Sequence, residues 1–582
     1  MKKQIYLNAA FAILFGITMQ AQEKDKNMGT EVVKVVKSYE ATVADAFKIK
    51  DNPQIDDKDN EKREIKYSIY SFPVASTFAP EKGIAAEVEK DTVNTFSNNY
   101  ALLGYGNFNT IRGELGIAEK INEDIYVAGM LNHISSQGGI LGVLVDDNYS
   151  KSNLDFNIGS KKVDTNWNAN FGVSQNNFNW YGLPSDNLIF APAQYINRDF
   201  GQKYNDIYLG GNYQTNKDFF KGGNLTYKYF WDDFDSKENH FKFNPNFNLD
   251  INETNIDLSI KADYLNTSYA SSSDLNSRNK YNYLILGIEP SVRFFEEDYS
   301  VELGFGISNI SGKSNGVKDN SIAVYPKVKA NYDLVKNIVI AYAGAEGGVT
   351  NNTYSNYVTE NPFVSPNLDI KPTQQQFNFY LGMKGKLYHN VSYNIRASYL
   401  SEDNKPMFVN NPKALTFDLL NSQVYQYGNS FGVIYNLVKT FNVYGELNLN
   451  FTDDVSIDLS GEINSYSVEN GNAYNLPESK VSAKVRIDFT DQWFGGLNLN
   501  YVGQRSDLGY VINSSGMEQR TAVKVDSFVD LNLNIGYKAD NNWTIFAKGN
   551  NLFNKSYQIW NNYKVQSAQV LVGAMYKFNF KN

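Results

Sequence analysis

From Asn98 to the C-terminus, hydrophobic and polar side chains alternate with a period of two. Phe441, Val443, Gly445, Leu447, Leu449 and Phe451 are interleaved with Asn442, Tyr444, Glu446, Asn448 and Asn450. Val481, Ala483, Val485, Ile487 and Phe489 repeat the pattern, as do Leu497, Leu499 and Tyr501, then Val529, Leu531, Leu533, Ile535 and Tyr537. Ala568, Val570, Val572, Ala574, Tyr576, Phe578 and Phe580 close the series. Successive side chains of a strand point to opposite sides, so each segment builds one apolar wall and one mostly polar wall. Short turns at 334–336, 437–439, 490–492 and 538–542 alternate with long polar loops at 349–372, 401–427, 463–478, 504–526 and 553–566. That asymmetry of ends is how transmembrane barrels are built. It places strands starting near 98, 109, 123, 152, 164, 203, 222, 241, 254, 279, 298, 319, 337, 373, 389, 427, 440, 479, 493, 527, 543 and 567. The count is about 22 and even, so first and last strands meet antiparallel. The expected fold is all-β, a transmembrane antiparallel β-barrel over 98–582 preceded by a short periplasmic segment. The rival is a secreted soluble protein, a propeller or stacked sandwiches. Against it stand alternating stretches as long as a tilted membrane strand needs and the lack of a blade-length repeat.

Residues 1–21 read differently. Lys2 and Lys3 precede an apolar run from about Leu7 to Met19, with Ala21 as the small residue at the cut. This is the pattern of a secretory signal peptide. No later apolar run approaches the ~20 residues of a membrane helix, so a membrane-embedded chain must close its backbone in a barrel. Residues 22–97 form a charge-rich stretch whose tract 56–66 reads as a solvated linker. Within it Val32, Val33, Val35 and Val36 form either a short strand or a segment that adds to a partner's sheet edge.

Composition sharpens this picture. Hydrophobic residues make up 42% and aromatics 14% of the 582 residues, with 41 Tyr, 37 Phe and 6 Trp. A wall with one greasy and one wet face accommodates that load. Tyr537 and Trp543, and Phe489 and Trp493, flank short turns, as an interfacial girdle requires. Cysteine is absent, which removes disulfides, thiolate chemistry and lipoprotein anchoring. A net charge of -9 argues against a nucleic-acid partner.

The stretch Phe528–Trp560 resembles the closing hairpin of TonB-dependent receptors. Its signature is Asn551, Leu552, Phe553, Asn554, Lys555, Ser556 and Tyr557, placed at the end of the penultimate strand. Tyr576, Phe578 and Phe580 in the closing strand are similar to the signal by which the barrel assembly machinery recognises its substrates. Thr30, Glu31, Val32, Val33, Val35 and Val36 are similar to the segment through which such receptors engage TonB. In composition the chain resembles those of Bacteroidota. It departs from the family in that 22–97 is too short for a full-sized plug, so a reduced or absent plug is expected. The resemblance implies an outer-membrane receptor or transporter for an unidentified ligand, with TonB-linked uptake among its expectations. The alternative is a non-transporting scaffold subunit of an outer-membrane complex. Outer-membrane lipid, the assembly machinery and TonB or another envelope protein are the implied partners.

Catalytic chemistry is not legible. His133, His240 and His389 are scattered, without metal spacing. Asp146/Asp147, Asp232/Asp233/Asp235/Glu238 and Asp453/Asp454 lack the spacing of a calcium loop and read as solvated loops. The glycines of 103–108 and 209–214 precede no helix, which leaves crowding in a curved wall as their role. The tracts 182–187 and 361–367 read as rigid loop elements that sit outside or fold inward. No enzyme, cofactor or metal site is expected.

Overall fold

The structure is a computed structural model. It describes residues 99–580 except 185–197, 217–218, 253, 270–279, 315, 337, 389, 413–422 and 513–517. The expected signal peptide at 1–21, the segment 22–97 with Thr30–Val36, and His389 lie outside the described residues.

Twenty-two strands pair in chain order into one antiparallel sheet. The first, Asn99–Gly106, also pairs with the last, Gln569–Phe578, in register from Asn99↔Phe578 to Gly106↔Leu571. The sheet is therefore a closed barrel with no free edge. Connections at one end are a few residues long, as at 121–124, 296–298, 453–454 and 539–542, while those at the other end include 351–372, 411–430 and 551–568. The alternation read in sequence sets the two faces. Leu381, Ile322 and Val324 point outward and are more than 60% exposed, as a lipid-facing belt requires. At the short-turn end Trp493 packs on Tyr537 and Trp543 on Tyr576, each at 4.8 Å, both pairs outward.

The inner face follows a second rule. Where a lumen-facing position holds glycine, the residue directly opposite on the next strand is repeatedly aromatic. Examples are Gly116 with Tyr100, Gly172 with Tyr208, Gly306 with Tyr325, Gly382 with Tyr342, Gly536 with Phe494 and Gly573 with Phe546. A Cβ at any of these glycines would meet that ring. The ring therefore lies flat over the bare backbone of its neighbour, which lets large side chains fit the concave side of a curved sheet. Between these pairs the ninth to eighteenth strands carry cross-strand ion pairs into the lumen. Among them are Lys327–Glu289 at 3.1 Å, Lys329–Glu346 at 2.8 Å and Lys480–Glu462 at 3.2 Å.

Two boundaries differ from the sequence reading. The tract 437–439 is no turn but the interior of one long strand, Phe431–Thr452, which absorbs the strands expected at 427 and 440. The strand Val455–Val468 occupies part of the expected loop 463–478. The two differences cancel, so the count stands at 22. Val438 is fully buried at the loop end, where the long strand leaves the lipid belt and packs inside, so the alternation falters there without any reversal of the chain. The loop expected at 401–427 begins only after Asn410, and 504–526 contains its own hairpin, Arg505–Ile512 with Glu518–Val525.

Candidate functional site: the cap over the loop end

The long loops do not simply project from the barrel. They fold over its mouth and share one buried cluster with the wall. The loop 351–372 supplies its centre. Thr353 caps the short helix Tyr354–Glu360 by accepting a hydrogen bond from Asn356 N. The first free amides of the helix are taken by the wall: Glu238 accepts from Tyr354 N at 2.7 Å and Ser355 N at 3.1 Å. Thr267 Oγ1 donates to the same carboxylate at 3.0 Å, and Tyr354 OH donates to Asp232 at 2.9 Å. Asp232 and Glu238, expected in a solvated acidic loop, are instead buried. Only Asp233 and Asp235 of that group are solvated, opposite Lys203 and Lys237. A helix N-terminus with orphan donors explains why carboxylates are tolerated there.

After the helix the tract 361–367 turns inward. Phe363 and Val364 are buried, and Phe363 O accepts from Phe431 N at 2.9 Å at the start of the sixteenth strand. Pro362 O accepts from Tyr204 OH at 2.7 Å and from Trp180 Nε1 at 3.3 Å. Trp180 follows the fifth strand, Thr165–Asn179. Its carbonyl accepts from Asn429 Nδ2 at 2.9 Å, just before the sixteenth strand, and Phe200 packs on Tyr427 at 5.4 Å. Fifth and sixteenth are eleven places apart in a ring of 22, so these contacts span the diameter of the mouth.

The last long loop, 551–568, completes the cap. Tyr563 stacks on Phe363 at 3.5 Å and donates to Asn429 O. Tyr181 OH donates to Lys564 O at 2.8 Å, and Arg505 donates to Ile559 O and Gln558 O. Burial pushes the hydroxyls of Tyr354, Tyr357 and Tyr563 far above their ordinary pKa, so they remain neutral hydrogen-bonding groups. Burial also raises the Asp147 carboxyl, against the Ile140 N–H that it accepts at 2.8 Å.

The residues singled out in the sequence have definite places. The strand before the motif ends at Asn550, so Asn551 and its neighbours form the first turn of the loop. Asn551 is buried with φ 45, donates to Lys555 O and Gln566 O at 2.9 and 2.8 Å, and so closes the base of the loop. Leu552 is half-buried, Phe553, Asn554 and Lys555 are exposed, and Tyr557 stacks on Phe528 at 4.1 Å. Tyr576 and Phe578 lie on the closing strand, with Phe580 just beyond it. His133 bonds Ser152 on the outer face at 2.8 Å, and His240 bonds Asp263 in the lumen at 2.8 Å. Among the described residues no group of His, Cys, Asp or Glu is arranged to hold a metal ion. Of the two places the sequence left open for 361–367, the inward one is observed, but the joining of several loops into one cap was not read. Its signal was present as aromatic residues stranded in polar loops: Trp180, Tyr181, Phe363, Trp560 and Tyr563.

Comparison with known proteins places this architecture. No curated protein matches the chain by sequence. Among solved structures, the siderophore receptor PirA from Acinetobacter baumannii superposes with a TM-score of 0.58 at 11% identity, over 83% of this chain and 81% of that one. The FrpB iron transporter from Neisseria meningitidis gives 0.58 at 12% identity over 83% and 82%. The ferric yersiniabactin uptake receptor FyuA from Yersinia pestis gives 0.55 at 13% over 83% and 80%. These likenesses are of fold. The family described as TonB dependent receptor-like, beta-barrel matches residues 90–552. The chain therefore belongs to the TonB-dependent receptor-like β-barrel family, outer-membrane proteins of the receptor and transporter class.

Proposed function

We propose that this barrel is an uptake receptor, driven through TonB, for a ligand captured at its capped end, and that it is not an enzyme. The observation that carries the reading is the cap. Its loops hold one another across the full diameter of the mouth through buried rings and hydrogen bonds. A passive pore has no use for such a closure, whereas a gated importer needs one that opens only when work is done on it. In this reading Thr30, Glu31, Val32, Val33, Val35 and Val36 add as a strand to TonB. The barrel sits in outer-membrane lipid, with the loops 351–372, 411–430 and 551–568 toward the medium. Tyr576, Phe578 and Phe580 serve the assembly machinery, so deleting 576–582 should stop insertion; a fully assembled truncated barrel would count against that role.

The test of energised uptake is Val33→Pro, which removes a backbone donor from the added strand. Growth on the transported nutrient should fail while barrel levels stay normal. Unchanged growth, with a stoichiometric envelope protein lost from gentle purifications of the variant, would establish the scaffold reading instead.

A further inference from the structure

Four alternate strands open at the loop end with one repeated pattern. The sixth, eighth, tenth and twelfth strands are Gly201–Thr215, Lys237–Ile251, Lys280–Phe295 and Val317–Val335. Each sets lysine, asparagine and an apolar residue at every second position as the chain descends. The first two sets are Lys203, Asn205 and Ile207, then Lys237, Asn239 and Phe241. Lys280, Asn282 and Leu284 follow, then Lys318, Asn320 and Ile322. Period two puts each set on one face of its strand. That face is the outer one, since the sets lead down into the exposed Leu209, Phe243, Leu286 and Val324 of the lipid belt.

The register joins the sets sideways. Asn239, Asn266, Asn282, Lys313 and Lys318 lie directly opposite one another in a row across five strands. One step nearer the medium, Lys237, Ser268 and Lys280 form a second row. The second, fourth and eighteenth strands open instead with Ile111, Ser150 and Ser479 outward. The layering therefore belongs to one sector of the outer wall.

Its polar layers are lightly committed. Lys313 and Lys318 are exposed and face each other, with no carboxylate in ion-pair reach among the described residues. Like charges directly opposite weaken a strand pair, so an anion between them relieves a cost. Lys203 and Lys237 meet Asp233 and Asp235 only in exposed pairs at 3.9 and 3.4 Å, which hold weakly in water and salt. The Oδ1 atoms of Asn205, Asn239 and Asn320 accept from Gln175, Tyr227 and Ser311. Their Nδ2 groups donate to no acceptor among the described residues.

We propose that this sector of the outer wall docks a phosphate-bearing lipid of the outer leaflet. Its phosphates lie on the lysine layer, its linking amides and hydroxyls on the asparagine layer, and its acyl chains on Ile207, Phe241, Leu284 and Ile322. The three layers run in the order in which such a lipid presents its parts from the medium inward. Lysine stems lie along apolar surface while their ammonium groups reach the headgroups, and clustered cations attract anionic lipid. The cation rows stand out on a chain whose net charge is -9. A free anion would engage the lysines alone, whereas a lipid uses all three layers. The surface lies outside the barrel, so the assignment does not depend on what passes within.

The experiment is native mass spectrometry of the purified full chain in detergent, with phosphorylated lipid A set against dephosphorylated lipid A. The phosphorylated form should be retained roughly tenfold better. The combined change Lys237→Gln, Lys280→Gln, Lys313→Gln and Lys318→Gln should abolish that preference. Equal removal of charge at the short-turn end, by Lys162→Gln, Lys336→Gln, Lys386→Gln and Lys538→Gln, should leave it within about twofold. Heat-modifiable migration checks that each variant is folded. If the fourfold row variant does not assemble, Lys313→Gln with Lys318→Gln should still lower the preference by roughly threefold. Equal retention of the two lipids, a preference that survives the row changes, or an equal loss in the control variant overturns the proposal. So does displacement of the lipid by an equimolar amount of inorganic phosphate, which would show that a free anion suffices.

Discussion

Replacing Glu238 by alanine should unlatch the cap without unfolding the barrel. In the native protein this carboxylate takes Tyr354 N and Ser355 N at 2.7 and 3.1 Å, and both residues are buried. Thr353 serves only Asn356 N, so no other side chain stands in for the two amides. Leaving a buried donor unsatisfied costs about 1–3 kcal/mol. Thr267 loses its acceptor too, but its hydroxyl rotates. Two amides give about 2–6 kcal/mol, or a roughly 30- to 20,000-fold shift in the local opening equilibrium at ~1.4 kcal/mol per tenfold. Hydrogen–deuterium exchange reads this directly as faster exchange across 353–360, while the strands keep their protection. Glu238→Gln retains one acceptor and turns a donor toward the other amide, so about half the free-energy effect is expected. Unchanged protection of 353–360 in folded Glu238→Ala would refute the latch.

Two further outcomes follow from packing and titration. A Cβ at Gly382 would lie 2.5 Å from Tyr342 Cζ and 2.6 Å from Ile395 O, whereas one at outward-facing Gly113 meets nothing within 4 Å. Gly382→Ala should therefore lower the unfolding free energy of the barrel, read in urea, by about 1–3 kcal/mol, and Gly113→Ala should not; equal effects would remove the ring-over-glycine account. Asp507, in the loop hairpin and fully buried, has its carboxyl raised by burial from 3.8 to about 6 despite bonds from Asn410 N and Leu508 N. A raised carboxyl binds its proton more tightly in the folded state, so stability grows as pH falls from about 6 to 3.8, by about 3 kcal/mol at most. Exchange protection of 505–525, corrected for intrinsic rates, should rise over that window. Asp507→Asn, which keeps the acceptor oxygen, should abolish the rise, and its persistence in the variant would point to another group.

The barrel was legible because lipid and lumen impose opposite demands on adjacent residues, and period two records them wherever a strand crosses the membrane. That is why the tract 479–502 and the closing hairpin are placed within a residue or two. Legibility ended where the strands leave the lipid. Val438 and Met407 are buried by the cap and its neighbouring loops, so an inward position is apolar and the alternation loses its meaning. Val455–Val468 was obscured for a related reason, since a two-residue turn at 453–454 leaves no polar tract to mark it. The cap was illegible because its core joins residues such as Trp180, Phe363 and Tyr563, far apart in sequence and close only after closure. Asn551 was noticed as a motif, but its work, closing the base of a loop, shows only in its bonds.

The contact between the fifth and sixteenth strands has a mechanical meaning. A hollow cylinder is stiff along its axis and soft to ovalisation, in which one diameter lengthens as the perpendicular one shortens. Asn429 to Trp180 and Tyr427 to Phe200 tie two opposite points of the wall, so at the loop end this breathing is resisted like the rim of a spoked wheel. At the short-turn end, among the described residues, no such tie crosses the lumen. Parting the cap therefore does more than clear an obstruction. It releases the cross-section itself, and the wall softens at the moment the passage is needed.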